Sequence, residues 1–308
     1  MTHKIAIVAD PGIDTAFAIA LALTDPDLEL LGIGATGGNV SPEQATNNVH
    51  VLIEQIDPKR WPRFGEALPV EYDINGTQLH GPDGFGGLDY PCYRRHNLLP
   101  TDKLLSDLVQ QYPNEVTVIC MGPLTALSAV LEREPNFPTL VRRIICLGGS
   151  IHEPGNAGPV SEFHFACDPM AARMVLQSGA EITLIPLDVM RMILLSPSDL
   201  LQLPNGNSKT CKFLKEIVPF GIGATSNQYG VEGFHLKDVL GTVAIALPDT
   251  LTTEPMLVDV ETNGDLTRGM LVIDRRGRRP KPPNAEVAVE VDSKKVRNYI
   301  MQTLRAAV

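Results

Sequence analysis

The spacing of apolar residues changes repeatedly along this chain, and each change marks an element. A β-branched run from Ile5 to Val8 reads as a buried strand, Asp10-Pro11-Gly12 turns the chain, and Ala16 to Leu23 reads as an apolar helix. Leu28 to Gly38 is a second strand ending in Gly37-Gly38-Asn39, and Ser41 as N-cap with Pro42 at the first helical position then opens a helix through Ile56. The alternation resumes with helix Thr101 to Tyr112, strand Val116 to Cys120, turn Met121-Gly122-Pro123, helix Leu124 to Glu134 and strand Arg143 to Leu147. A helix from Asp168 to Ser178, a strand from Ile182 to Val189 and a helix from Lys209 to Val218 follow, then the glycine-rich GIGATSNQYG and an apolar helix opened by Asp238. Strands at Met256 to Val260, Met270 to Ile273 and Glu286 to Val291 precede a terminal helix. Strands alternating with helices predict an α/β fold: an open, mostly parallel sheet flanked by helices. No repeat, low-complexity tract or linker divides residues 1–308, which predicts a single domain.

Three irregular stretches interrupt the pattern. Gly65 to Pro100 carries LHGPDGFGGLDY, with His80 its most reactive member, and a loop of this length is more often functional than idle. Ser150 to Phe165 offers Asn156, Glu162 and His164, and Ser196 to Asn207 is polar with Pro and Gly. The strand ends at Asp10, Met121 and Gly148 are expected to converge on one edge of the sheet, where open α/β folds place ligands and glycines admit close approach. Two carboxylates, Asp10 and Asp14, sit at the first such turn, suited to holding a hard cation or activating water, although Asp14 equally suits a helix cap. Asp238, at a helix start, reads by position alone as a cap too.

Composition narrows the class. With 44% hydrophobic and 20% charged residues the chain reads as an ordinary globular protein that needs no disulfides. Five cysteines without a CxxC pair suggest small thiols in a reducing, cytoplasmic setting and argue against zinc. No apolar run approaches the ~20 residues of a membrane span. A net charge of −10 argues against nucleic acid and anionic membranes as partners and suits a neutral or cationic small molecule. The basic turn Arg275 to Pro283 reads as a solvated loop.

The order of ADPGIDTA, TGGN with ATNN, LHGPDGFGG, MGPLTALS, LGGS, PGN, SEFHFACDP, KDVLGTVA and VDVETNGDLTRG resembles the nucleoside hydrolase family, the inosine-uridine preferring N-ribohydrolases, over nearly the whole chain. The resemblance implies hydrolysis of a ribonucleoside to ribose and a free purine or pyrimidine base, as in salvage. It also implies a homodimer or homotetramer and a catalytic calcium ion, Ca2+. Asp10 matches the calcium ligand that is also general base, Thr15 and Asp238 match further ligand positions, and Met121 matches a ligand through its backbone carbonyl. Asp14, Asn39, Leu147, Asn156, Glu162, His164 and Asp238 match substrate-binding positions. His80 and Lys237 fall where the family places leaving-group histidines, with His235 two residues before Lys237.

The family signature Asp-x-Asp-Pro-Gly-x-Asp-Asp reads here Val8-Ala9-Asp10-Pro11-Gly12-Ile13-Asp14-Thr15, so two of its four acids are absent. Calcium affinity follows the number of charged oxygens, and weakened binding is therefore the expectation. His164 for Asn and Lys237 for His are two further departures. They leave a second reading, a catalytically silent relative that binds a nucleoside or sugar. A metal-dependent phosphatase on the same sheet edge is the third, and the acidic pocket offers it no phosphate cradle.

Overall fold

In the computed structural model, which describes residues 2–91, 97–204, 208–276 and 281–307, the alternating pattern folds into a sheet with helices on both faces. The strands are β1 (His3–Ala9), β2 (Leu28–Ala35), β3 (Arg63–Glu66), β4 (Leu99–Pro100), β5 (Thr117–Met121), β6 (Arg143–Leu147) and β7 (Ile182–Ile185). After them come β8 (Leu194–Leu195), β9 (Phe234–His235), β10 (Leu251–Met256), β11 (Val258–Val260), β12 (Leu271–Ile273) and β13 (Ala285–Val291). The helices of the first half are α1 (Ile13–Thr24), α2 (Pro42–Ile56), α3 (Thr77–His80), α4 (Thr101–Gln111), α5 (Thr125–Arg133) and α6 (Phe137–Leu140). Those of the second half are α7 (Phe163–Cys167), α8 (Pro169–Leu176), α9 (Leu187–Met190), α10 (Pro197–Gln202), α11 (Lys209–Tyr229), α12 (Val239–Ala246) and α13 (Ser293–Ala306).

Among the described residues, nine strands form one sheet in the order β10-β13-β7-β6-β5-β1-β2-β3-β4. Neighbours are parallel except β10 against β13. Alternation along β1 divides the core in two. Ile5, Ile7 and Ala9 pack with α1, α11, α12 and α13, whereas Ala6 and Val8 pack with α4, α5 and α8 on the opposite face. Helix α1 is buried at every residue from Ile13 to Ala22. A helix apolar all round must be enclosed, and α11, α12 and α13 enclose this one against the sheet. The turn that carries Asp10 is thereby held between a central strand and a central helix. No helix among the described residues is long and apolar enough to cross a membrane.

Several expected boundaries move for physical reasons. The strand expected through Val189 stops at Ile185, because Pro186 offers no N–H to the ladder and instead heads α9. The helix expected to end at Val218 runs on through Pro219 to Tyr229 and stops at Gly230, whose φ of +67° suits a helix C-terminus. Gly221 in that run serves packing rather than a break: a Cβ there would lie 2.7 Å from the Phe234 ring. The polar segment after Leu195 contains α10, which Ser196 and Asp199 start with a reciprocal cap, and residues 205–207 lie outside the described set. The strand expected over Met256 to Val260 is two strands, β10 and β11, which belong to different sheets. Of the basic turn, residues 277–280 lie outside the described set, as does Cys92.

Candidate active site

β1, β5 and β6 are adjacent and parallel, with Ala9 in register with Met121 and Cys120 with Cys146. Their ends deliver Asp10, Met121 and Gly148 to one edge, as expected. Asp10 is fully buried. One carboxylate oxygen, Oδ2, accepts the Asn39 N–H at 2.9 Å, while the Asn39 amide donates back to the Asp10 carbonyl at 2.8 Å. The other oxygen, Oδ1, is buried with no hydrogen-bond partner. Burial first, and the neighbouring Asp238 second, hold this carboxyl well above the usual carboxylate range. The strand-end glycines make room for it: a Cβ on Gly38 would stand 2.1 Å from Asp10 Oδ2, and one on Gly122 would stand 3.1 Å from Oδ1.

The start of α1 is wired to two distant segments. The Thr15 hydroxyl accepts the Gly12 N–H at 3.2 Å and donates its proton to Asp238 Oδ2 at 2.5 Å. Asp238 therefore makes no side-chain cap to α12, contrary to its reading as a cap. The Ile13 N–H donates to His80 Nδ1 at 3.1 Å, and the same nitrogen lies 3.8 Å from Asp14 Oδ1. A ring nitrogen that accepts carries no proton, so neutral His80 holds its proton on Nε2. Burial lowers the His80 pKa to about 4 despite the opposing charge of Asp14. Gly12 is required here too, since a Cβ would fall 2.5 Å from His80 Nδ1.

The third wall comes from residues 147–164. Glu162 caps α7: its Oε2 accepts N–H groups from Gly149 and Phe165, each at 3.2 Å. His164 donates from Nδ1 to the Leu147 carbonyl at 2.9 Å, because a carbonyl can only accept. Its Nε2 then stands 3.8 Å from Asp10 Oδ1. Asn156 Oδ1 takes the Phe163 N–H at 2.8 Å and ties the loop to α7. Burial pulls the Lys237 ammonium down, but the carboxylates of Asp14, Asp238 and Glu162 more than offset it and leave the lysine more strongly protonated than usual. His235, in β9, is half-buried with Nδ1 lacking a partner, and burial lowers its pKa.

Contacts within 4 Å join Asp10 to Asn39 and His164, His164 to Glu162 and Leu147, Asp14 to His80, and Thr15 to Asp238, while Met121 and Asn156 stand on adjoining segments. Two supporting residues were overlooked. Asn48 bridges the Pro11 and Asp83 carbonyls at 3.1 and 2.8 Å and ties the first turn to the HGPDG loop. The Asp188 carboxylate accepts N–H groups of Ile151, His152 and Glu153 and holds the loop after β6. The asparagine pair at Asn47-Asn48 was the available signal for the first, whereas Asp188 fell inside the strand expected through Val189 and gave none.

A family model described as inosine-uridine preferring nucleoside hydrolase matches residues 5–298. The chain is 34% identical over 312 residues to the non-specific ribonucleoside hydrolase RihC of Escherichia coli strain SMS-3-5, with all of both chains covered. Among solved structures it is similar to the plant nucleoside hydrolase PpNRh1, with TM-score 0.93, 28% identity and 99% of each chain covered. The purine-preferring ribonucleoside hydrolase from Gardnerella vaginalis gives TM-score 0.92 at 28% identity, again with 99% of each chain covered. The matched model spans the Asp10 turn, the Glu162 cap and the Thr15–Asp238 contact alike, and the chain belongs to the inosine-uridine preferring nucleoside hydrolase family, a family of enzymes that hydrolyse N-glycosidic bonds.

Proposed function

We propose that this chain hydrolyses the N-glycosidic bond of ribonucleosides, with Asp10 as the general base on the attacking water. The observation that carries the reading is Asp10 Oδ1, a buried carboxylate oxygen without a partner at the edge of the sheet. An acceptor so placed costs free energy unless something occupies it, and the attacking water is the occupant this reading assigns. Burial and the charge of Asp238 raise the affinity of Asp10 for protons, which makes it a stronger base than an ordinary carboxylate. As the bond to the base lengthens, the ribose gains oxocarbenium character, which the carboxylates of Asp14 and Glu162 stabilise. Asn39 and Asn156 orient the sugar through the amide atoms they do not spend on the backbone. The leaving base is met by the Nε2–H of neutral His80 as a hydrogen bond and takes its proton from the Lys237 ammonium.

At the four positions matching calcium ligands, only Asp10 and Asp238 supply side-chain carboxylates, and Thr15 is committed to Asp238. That donor set does not fit a calcium ion, and no step runs through one. Buried free thiols at Cys120, Cys146, Cys167 and Cys211 support a cytoplasmic setting. A homodimer or homotetramer rests on kinship alone, and the mass in solution tests it.

Incubation with a panel of purine and pyrimidine ribonucleosides, followed by a reducing-sugar assay, tests the reading. Ribose release is expected, and Asp10→Asn is expected to lower kcat by about 10² to 10⁴-fold with an unchanged far-UV spectrum. Tight nucleoside binding without ribose release from any member of the panel would favour the silent relative instead.

A further inference from the structure

Thr15 and Lys237 are not separate losses from a calcium site; they form one arrangement with Asp238 between them. The Thr15 oxygen takes the Gly12 N–H and gives its proton to Asp238 Oδ2, so its hydrogen-bonding capacity is spent inside the protein. Calcium asks for 6 to 8 oxygens and binds according to how many are charged. Among the described residues no three His, Cys, Asp or Glu side chains converge in a metal-holding cluster. Val8, the place of a further acid in the family signature, is fully buried in the apolar core with Cys120 and Cys146, so no carboxylate reaches the site from there. Lys237 adjoins Asp238 in sequence and has Asp14, Asp238 and Glu162 as its principal charge partners.

The charges agree with a replacement. Relative to the signature this chain resembles, threonine for aspartate at position 15 removes one negative charge, and lysine for a neutral histidine at position 237 adds one positive charge. Valine for aspartate at position 8 removes a further negative charge, so the three departures together more than supply the two positive charges that a calcium ion would bring. We infer that this sheet edge is a metal-independent site, in which the Lys237 ammonium and the Thr15–Asp238 hydrogen bond take the place of a divalent cation among the carboxylates. Asp238 is positioned by a hydroxyl, and the surplus of negative charge is met by a side chain that cannot dissociate. The inference rests on the proposed reading of this edge as the catalytic site of an N-ribosyl hydrolase.

The test uses the full chain, freed of metals with a chelator and titrated with calcium chloride alone. Calorimetry should show no saturable binding below about 1 mM calcium, and the unfolding temperature should move by less than about 1 °C. Ribose release should stay within about twofold with and without chelator. Micromolar calcium binding overturns the inference, and so does ribose release that the chelator abolishes and calcium restores. The double variant Thr15→Asp with Lys237→His should gain calcium binding, seen as a rise in unfolding temperature on adding the ion. A folded double variant that still ignores calcium shows that these two residues do not exclude it, and equally overturns the assignment. A native protein that neither binds calcium nor releases ribose from any nucleoside counts against the proposed hydrolysis while supporting the metal-free pocket, so the two readings fail separately.

Discussion

His80 offers a quantitative test of the site's electrostatics. Its ring is 2% exposed, accepts the Ile13 N–H at Nδ1 and meets the edge of Phe234, an environment with little to stabilise an imidazolium except Asp14 at 3.8 Å. Lys237 and His164 oppose protonation further. The pKa is lowered from 6.5 to about 4, so the unfolded chain binds this proton more readily than the folded one at mildly acidic pH. Stability from His80 is then fully present above pH 6.5 and is lost as the pH falls toward 4. At 1.36 kcal/mol per unit, the loss amounts to about 3 kcal/mol over that window. Asp10 and Asp238 also titrate abnormally, so the measurement is a difference between wild type and His80→Gln, whose amide oxygen can still accept the Ile13 N–H. Urea unfolding of both proteins at steps from pH 7.5 to 4 should show wild type losing about 3 kcal/mol relative to the variant. A flat difference, or an imidazole resonance titrating near pH 6.5, would refute the placement of His80 as a buried neutral acceptor.

Other perturbations test separate contacts. Gly38→Ala places a Cβ 2.1 Å from Asp10 Oδ2 and must displace the carboxylate; ribose release should fall by about 100-fold, since a shift near 1 Å at a reacting group costs about that much. Thr15→Val keeps the volume but removes the hydroxyl bonded to Asp238, and should destabilise the chain by about 2 kcal/mol in urea unfolding, with Thr15→Ser recovering most of it. Gly221→Ala drives a methyl group into the Phe234 ring, and a loss of about 1 to 3 kcal/mol is expected, whereas an unchanged stability would mean that α11 and β9 are not packed as described.

The layered fold was legible because its signals are local. Ile5 to Val8, Leu28 to Gly38 and Arg143 to Leu147 are apolar runs bounded by turn residues, and each became a strand of the central sheet. Ser41-Pro42 marked the start of α2, where Ser41 Oγ does accept the Gln44 N–H. The boundary misjudged at Val218 has a different cause. Gly221 and Gly223 look like breakers when read locally, but α11 gains enough by packing on α1, α2 and α3 to run through them, and Phe234 needs the absence of a side chain at Gly221. Only the fold supplies Phe234 as a neighbour.

The site divides along the same line. Asp10 could be singled out because a carboxylate at a strand-to-helix turn is visible within a few residues, and its isolated oxygen in the folded chain follows from that placement. Thr15, read along the chain, is a helix residue standing where a ligand is missing. Its partner is 223 residues away, and only the hydrogen bond to Asp238 turns the missing ligand into a contact. The same holds for Lys237, whose charge partners Asp14 and Glu162 come from segments far apart along the chain. Local sequence therefore shows what each substitution removes, while the tertiary neighbours show what takes its place. Because both substitutions act on Asp238, reverting one alone is expected to leave the edge out of charge balance: Lys237→His with Thr15 in place should lower stability or activity more than the double reversal does in the presence of calcium. A simple sum of the two single effects would show that Thr15 and Lys237 do not act through a shared carboxylate.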